Sequence, residues 1–178
     1  MNILENIDIE LFRFLNSTIS NPISNKFFPF ITDLKSWILV YLIFWLILFF
    51  KEGKKGKIVA ISVLLVVTIS DQVASSFLKN FFERIRPCNV LENVNLLVKC
   101  SKSFSMPSSH AVNNFAVATF LSIFYSRFKY IFFTIAILVA LSRPIVGVHY
   151  PADIFVGAIV GTIIGYFAAL IIKKLRLL

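Results

Sequence analysis

Apolar runs of membrane-crossing length recur along this chain, and they leave its backbone few ways to satisfy itself. A helix needs about 20 apolar residues to cross a bilayer, and in lipid it supplies its own hydrogen bonds. Residues 58–78, 107–125, 130–148 and 151–172 come close to that length. A fifth run is clean only over 37–50. Extended back to Ile31 it takes in Thr32, Asp33, Lys35 and Ser36, with Trp37 near the interface. Hydrophobic residues make up 58% of the 178, and the mean hydropathy of +0.83 is far above that of a soluble domain. The sequence predicts an all-α integral membrane bundle of about five transmembrane helices plus an N-terminal amphipathic helix. It forms one domain over 1–178, with 1–30 interfacial and 31–178 the transmembrane bundle.

The N-terminal segment places Leu4, Ile7, Leu11, Phe14 and Leu15 at helical spacing, with Glu5, Asp8 and Arg13 elsewhere. That pattern suits a helix lying in the interface or one packed under the rim of the bundle. Glu5, Asp8 and Glu10, with no basic start, make it a poor signal peptide. Pro22 and Pro29 predict a broken connection or a short second helix.

The formal net charge of +9 is read as topology rather than nucleic-acid binding. The KEGKKGK stretch at 51–57, read as a turn, the SRFK turn at 126–129 and the tail (Lys173, Lys174, Arg176) carry nine of the 18 basic residues. Alternation of the spans puts these three on one face, expected to be cytoplasmic. The polar loop 79–106 and the turn 143–153 then share the opposite face. Cys88 and Cys100 lie in that loop, where an oxidising compartment would allow a disulfide and a reducing one would leave two thiols.

Three polar motifs fall on that face. The stretch SRPIVGVHYPAD, 142–153, sets Arg143, His149 and Asp153 between two apolar runs, and ionisable groups at a membrane are costly enough to suggest function. Pro151 suits the first turn of a helix, which puts Asp153 within reach of the His149 imidazole. A carboxylate on one ring nitrogen leaves the other free to attack; a purely structural pair is the alternative. Asp153, Gly157, Gly161 and Gly165 form one ridge, so Asp153 is expected to face the bundle interior. In MPSSH, 106–110, Pro107 suits a helix start, with Ser108 and Ser109 in the first turn beside free N–H groups. That is an anion site or ordinary capping, with His110 placed for proton transfer. In KNFFERIRP, 79–87, Lys79 and Arg86 either snorkel or converge with Arg143 on a phosphate. Asp71 reads as an interhelical hydrogen-bonding residue or a support beneath the site, Asn113 and Asn114 as helix glue or, for one of them, a partner of the site residues, and Glu83 and Arg84 as a local pair.

Taken together, Lys79-x6-Arg86-Pro87, Pro107-Ser108-Ser109-His110 and Ser142-Arg143-x5-His149-x3-Asp153 resemble the three-part signature of the type 2 phosphatidic acid phosphatase family, over about 58–172. Ser109 departs from the usual glycine of the second motif. The resemblance implies a helical catalytic bundle and metal-independent, cofactor-free phosphate hydrolysis through a phosphohistidine. His149 would attack phosphorus, Asp153 support it, and His110 protonate the leaving oxygen before activating water. Lys79, Arg86, Ser108, Ser109 and Arg143 would hold the phosphoryl oxygens. It further suggests a bacterial inner-membrane enzyme with its site facing the periplasm or exterior, acting on a membrane lipid: lipid A 1-phosphate, undecaprenyl diphosphate, phosphatidylglycerol phosphate or phosphatidic acid. A water-soluble ester such as a sugar phosphate, or a non-catalytic lipid-phosphate-binding protein, are the rival readings.

Overall fold

The first long helix begins where a side chain replaces missing backbone partners. Asp33 accepts hydrogen bonds from the N–H groups of Lys35 (3.3 Å) and Ser36 (3.2 Å). Of the polar residues that blurred the first apolar run, Asp33 is therefore the cap of a helix, Lys35 and Ser36 lie in its first turn, and Thr32 ends the preceding helix. The computed structural model describes residues 3–175. Arg176, counted above with the basic tail, lies outside the described residues.

In chain order the described elements are α1 (Ile3–Arg13), prolonged by a π turn (Phe14–Thr18), α2 (Ser24–Thr32), α3 (Leu34–Lys51) and α4 (Gly53–Gln72). The last continues through a π stretch (Val73–Leu78) into α5 (Lys79–Phe82). After α6 (Pro87–Val90) and a long loop come α7 (Ser109–Phe124), a 3₁₀ turn (Ser126–Phe128), α8 (Lys129–Ile145) and α9 (Pro151–Lys174). Among the described residues, four stretches are long and apolar enough to cross a membrane: Leu34–Lys51, Gly53–Val90, Ser126–Ile145 and Pro151–Lys174. The 16-residue α7 is packed among them as the fifth member of the bundle.

Two expected boundaries move. The chain reverses at 52–53, not over 51–57, because Gly53 adopts a left-handed φ of +62°. Lys54, Lys55 and Lys57 are thereby freed to begin α4. Lys55 Nζ donates to the Phe124 carbonyl at 2.8 Å, satisfying an acceptor at the C-terminal end of α7 and tying the basic turn to that end. Pro107 does not start α7. It precedes the N-cap residue Ser108, after a cis Met106–Pro107 bond. Pro151 does occupy the first turn of α9.

The bundle is tightest between α7 and α9. Gly157, Gly161 and Gly165 are buried, and a Cβ on any of them would collide with α7: Ala111 and the Ser108 carbonyl, the Val112 carbonyl, and the Ala116 carbonyl in turn. The glycine ridge lets the two backbones touch, and Asp153 at its head points inward, fully buried. Phe120, Leu121 and Phe124 of α7 fill the other half of the core with Leu48, Val59 and Val66.

At the site end, α1 turns a narrow mixed stripe inward. Asp8, Phe12 and Asn16 are buried, while Ile3, Leu4, Ile7, Leu11 and Phe14 are exposed. Asn16 donates to the carbonyls of Asn95 and Ile145 (both 2.9 Å) and accepts from the Asn95 N–H (2.8 Å). It thus clamps the long loop to the turn after α8. Cys88 and Cys100 are joined by a disulfide that closes this loop.

Candidate active site

His149 sits in the turn between α8 and α9 and is buried. Its Nδ1 lies 3.3 Å from Asp153 Oδ2 and its Nε2 lies 3.0 Å from an Arg86 Nη1. A guanidinium can only donate, so Nε2 is the acceptor and Nδ1 carries the proton toward Asp153. Burial drives the His149 pKa down to about 3, Arg86 adds repulsion, and the Asp153 hydrogen bond opposes both. The ring is therefore neutral near pH 7, with its Nε2 lone pair directed at a cationic group.

Asp153 is held from four directions. Besides His149 it accepts from the Tyr150 N–H (2.8 Å), from the Ser105 hydroxyl, and from Arg84 Nη1 (2.9 Å). The Tyr150 contact is a side-chain-to-backbone capping bond at the start of α9, so the helix terminus itself fixes the carboxylate.

The cations converge. Arg86, buried at the start of α6, is anchored through Nε to the Ser103 carbonyl (2.8 Å) and through Nη1 to the Val148 carbonyl (3.0 Å). Arg143, in the last turn of α8, donates through Nη1 to Thr32 Oγ1 at 2.5 Å, and its Nε is buried without a partner among the described residues. Lys79 is buried at the head of α5, in the field of both arginines and of Asp153. The π stretch just before it shifts the register of that helix and so sets where Lys79 points.

Ser108 departs from expectation in one respect. Its N–H is not free but donates to the Asp153 carbonyl at 3.1 Å. Its hydroxyl makes no capping bond and is buried without a partner among the described residues. Ser109 opens α7, and His110 follows within the field of Arg143, His149 and Lys79. Asp71 accepts from Asn113 Nδ2 (3.1 Å), joining α4 to α7 as expected, whereas Asn114 bonds the His110 carbonyl (2.9 Å) of its own helix and joins no other.

Three residues went unread in the sequence. Arg84 does not pair with Glu83; it bridges Asp153 and Asp8, whose Oδ2 lies 2.5 Å from its Nη2. Ser105 touches Asp153. No spacing rule could have found these pairings, which join residues 69, 76 and 48 positions apart.

Beside this cluster lies an apolar cavity of about 760 Å³. Ser109 and His110 line it at the site end. Trp37, Tyr41, Val63, Val67 and Leu121 continue it along α3, α4 and α7.

Residues 59–177 match the PAP2 superfamily. The chain belongs to that superfamily. It is 32% identical to the lipid A 4'-phosphatase of Porphyromonas gingivalis over 174 residues, covering 94% of this chain and 73% of that one. It is likewise 32% identical to the lipid A 4'-phosphatase of Bacteroides thetaiotaomicron over 180 residues, 97% of this chain and 80% of that one. Among solved structures, the PAP2-type phosphatidylglycerolphosphate phosphatase of Bacillus subtilis superposes with a TM-score of 0.75 at 26% identity, covering 98% of this chain and 88% of that one. As a PAP2 member with this fold, the chain is an integral membrane lipid phosphatase, as its motifs led us to expect.

Proposed function

We propose that the chain removes the 4'-phosphate of lipid A at the outer face of a bacterial inner membrane, through a phosphohistidine on His149. The observation that carries the reading is a polar cluster opening onto an apolar cavity. The cluster holds two unpartnered buried donors, Ser108 Oγ and Arg143 Nε, beside a neutral imidazole. An unmet buried donor costs about 1–3 kcal/mol, which a bound phosphoryl oxygen would relieve. The cavity lining runs from Ser109 to Leu121 on α7, about 18 Å at 1.5 Å per residue, a length suited to acyl chains.

In this reading the phosphoryl oxygens rest on Lys79, Arg86, Arg143, Ser108 and Ser109, and Arg86 swings its donor from Nε2 to an oxygen as substrate enters. Nε2 attacks phosphorus, and the P–O bond to the sugar breaks as His110 gives its proton to the leaving oxygen. Asp153 stabilises the positively charged ring that results. His110 then takes a proton from water, whose oxygen attacks phosphorus and releases inorganic phosphate and free His149. Positioning and charge neutralisation supply most of the acceleration in such transfers. The orientation is supported by the basic end formed by 51–57 and 126–129, read as cytoplasmic, and by a disulfide on the opposite end. The relatives' names favour the 4' position over the 1 position.

The test is phosphate release by purified protein in detergent. Substrates are lipid A carrying a 1- or 4'-phosphate, undecaprenyl diphosphate, phosphatidylglycerol phosphate, phosphatidic acid and soluble glucosamine 4-phosphate. The 4'-phosphate should give the highest kcat/KM. It should exceed the soluble sugar phosphate by about 100-fold or more, since burying even four methylenes contributes about 3 kcal/mol. Equal rates on the soluble ester would overturn the lipid reading, and preference for another lipid would overturn the 4' assignment.

A further inference from the structure

The carboxylate that orients His149 is itself held by a chain of groups reaching into the N-terminal helix. Arg84 lies between Asp153 (2.9 Å) and Asp8 (2.5 Å) and stacks 3.9 Å over the Tyr150 ring. Asp8 uses its other oxygen on the Ala152 N–H at 2.8 Å, in the first turn of α9. Phe12 of α1 also packs on Tyr150, its ring 5.6 Å away and tilted. Asp8 and Asp153 are both buried, and Arg84 is about one-fifth exposed. Neither Asp8 nor Arg84 belongs to the cluster of phosphate-binding cations.

We propose that Asp8 is a positioning residue for the transfer reaction, acting through Arg84 and the α9 N-terminus on Asp153, so that α1 is part of the catalytic apparatus. The inference rests on His149 as nucleophile. A lone arginine against Asp153 would draw off the charge that must stabilise the ring once it bears phosphate. A second carboxylate on the same guanidinium returns that charge and locks the fork in one plane. The bond to Ala152 fixes the backbone one residue before Asp153. The charges alternate along Asp8, Arg84 and Asp153 and end on the imidazole, which becomes cationic only during turnover. Loss of Asp8 should therefore weaken the transition state more than substrate binding.

The experiment uses the full chain in detergent with a long-chain lipid phosphate, comparing Asp8→Asn, Arg84→Gln, the double variant, and Glu10→Gln on the exposed side of α1. Asp8→Asn keeps the shape and an oxygen for Ala152 but removes the charge. It should lower kcat about tenfold with KM within about twofold, while Glu10→Gln leaves both unchanged. The double variant should be no slower than Arg84→Gln alone, because both changes cut one path. Should Asp8→Asn fail to fold, Arg84→Lys, which keeps the charge but lacks the planar fork that spans Asp8 and Asp153, carries the same expectation. A wild-type kcat per folded molecule, a loss confined to KM, or additive effects in the double variant would each overturn the proposal. His149→Ala, run alongside, separates the two levels. Turnover there overturns the nucleophile assignment, whereas a dead His149→Ala with an unaffected Asp8→Asn overturns this inference alone.

Discussion

His149 is held by two neighbours that ask opposite things of it. Asp153 favours a charged ring, while burial and Arg86 favour a neutral one and prevail, taking its pKa to about 3. The unfolded chain would protonate the same ring near 6.5. Below that value the unfolded state binds the extra proton, so stability is full above pH 6.5 and declines as pH falls toward 3. The account predicts a loss of about 2 kcal/mol from this group between pH 7 and 5, measured as the unfolding free energy in detergent. His149→Asn should remove that part of the slope. The His149–Asp153 pair was legible because a proline at 151 and a four-residue step are local signals. Ser105, Arg84 and Asp8 were not legible, since their geometry arises only when the long loop and α1 close over the start of α9. Ser108 was half legible: its place at the helix start was foreseen, but not that its N–H would be taken by Asp153.

Among the helices, the glycine row of α9 did most to predict packing. Residues four apart form a ridge whatever the partner, and small ones signal a close neighbour before that neighbour is known. The ridge meets α7, where a Cβ on Gly161 would strike the Val112 carbonyl, which cannot move aside as a side chain could. Gly161→Ala should therefore lower stability by about 1–3 kcal/mol, against a change within about 0.5 for Thr162→Ala on the exposed face. Thermal unfolding of the two variants in one detergent checks it, and activity should fall with the first because Asp153 rides on the same helix. The N-terminal helix teaches the converse. Its apolar row was correctly seen but faces outward, and Asp8 and Asn16, with Phe12 between them, face the bundle, while Glu5, Glu10 and Arg13 stay exposed. Beside a bilayer the usual sense of amphipathicity inverts, and sequence periodicity gives the stripe without saying which side it faces.

At the scale of the whole protein, the alternation of spans brought three polar motifs to one end, and that arrangement survives in the structure. Lys79, Arg86, Arg143, His149 and Asp153 gather there, while Lys55 meets the end of α7 at the other. The number of spans was harder to read. The five bundle helices include one of 16 residues, and the first owes its start to a cap that composition alone reads as an interruption. The cavity was not legible at all, because it is a gap between α3, α4 and α7 and no residue encodes a gap. Its position beside His110 is what joins a membrane fold to phosphate chemistry. The central claim is that His149 itself takes the phosphoryl group. Rapid acid-free quenching of the enzyme during turnover of a radiolabelled lipid phosphate, followed by peptide mapping, tests it most directly. The account predicts label on the peptide containing His149, released by acid and absent from His149→Ala. Phosphate release with no label on that peptide would contradict it.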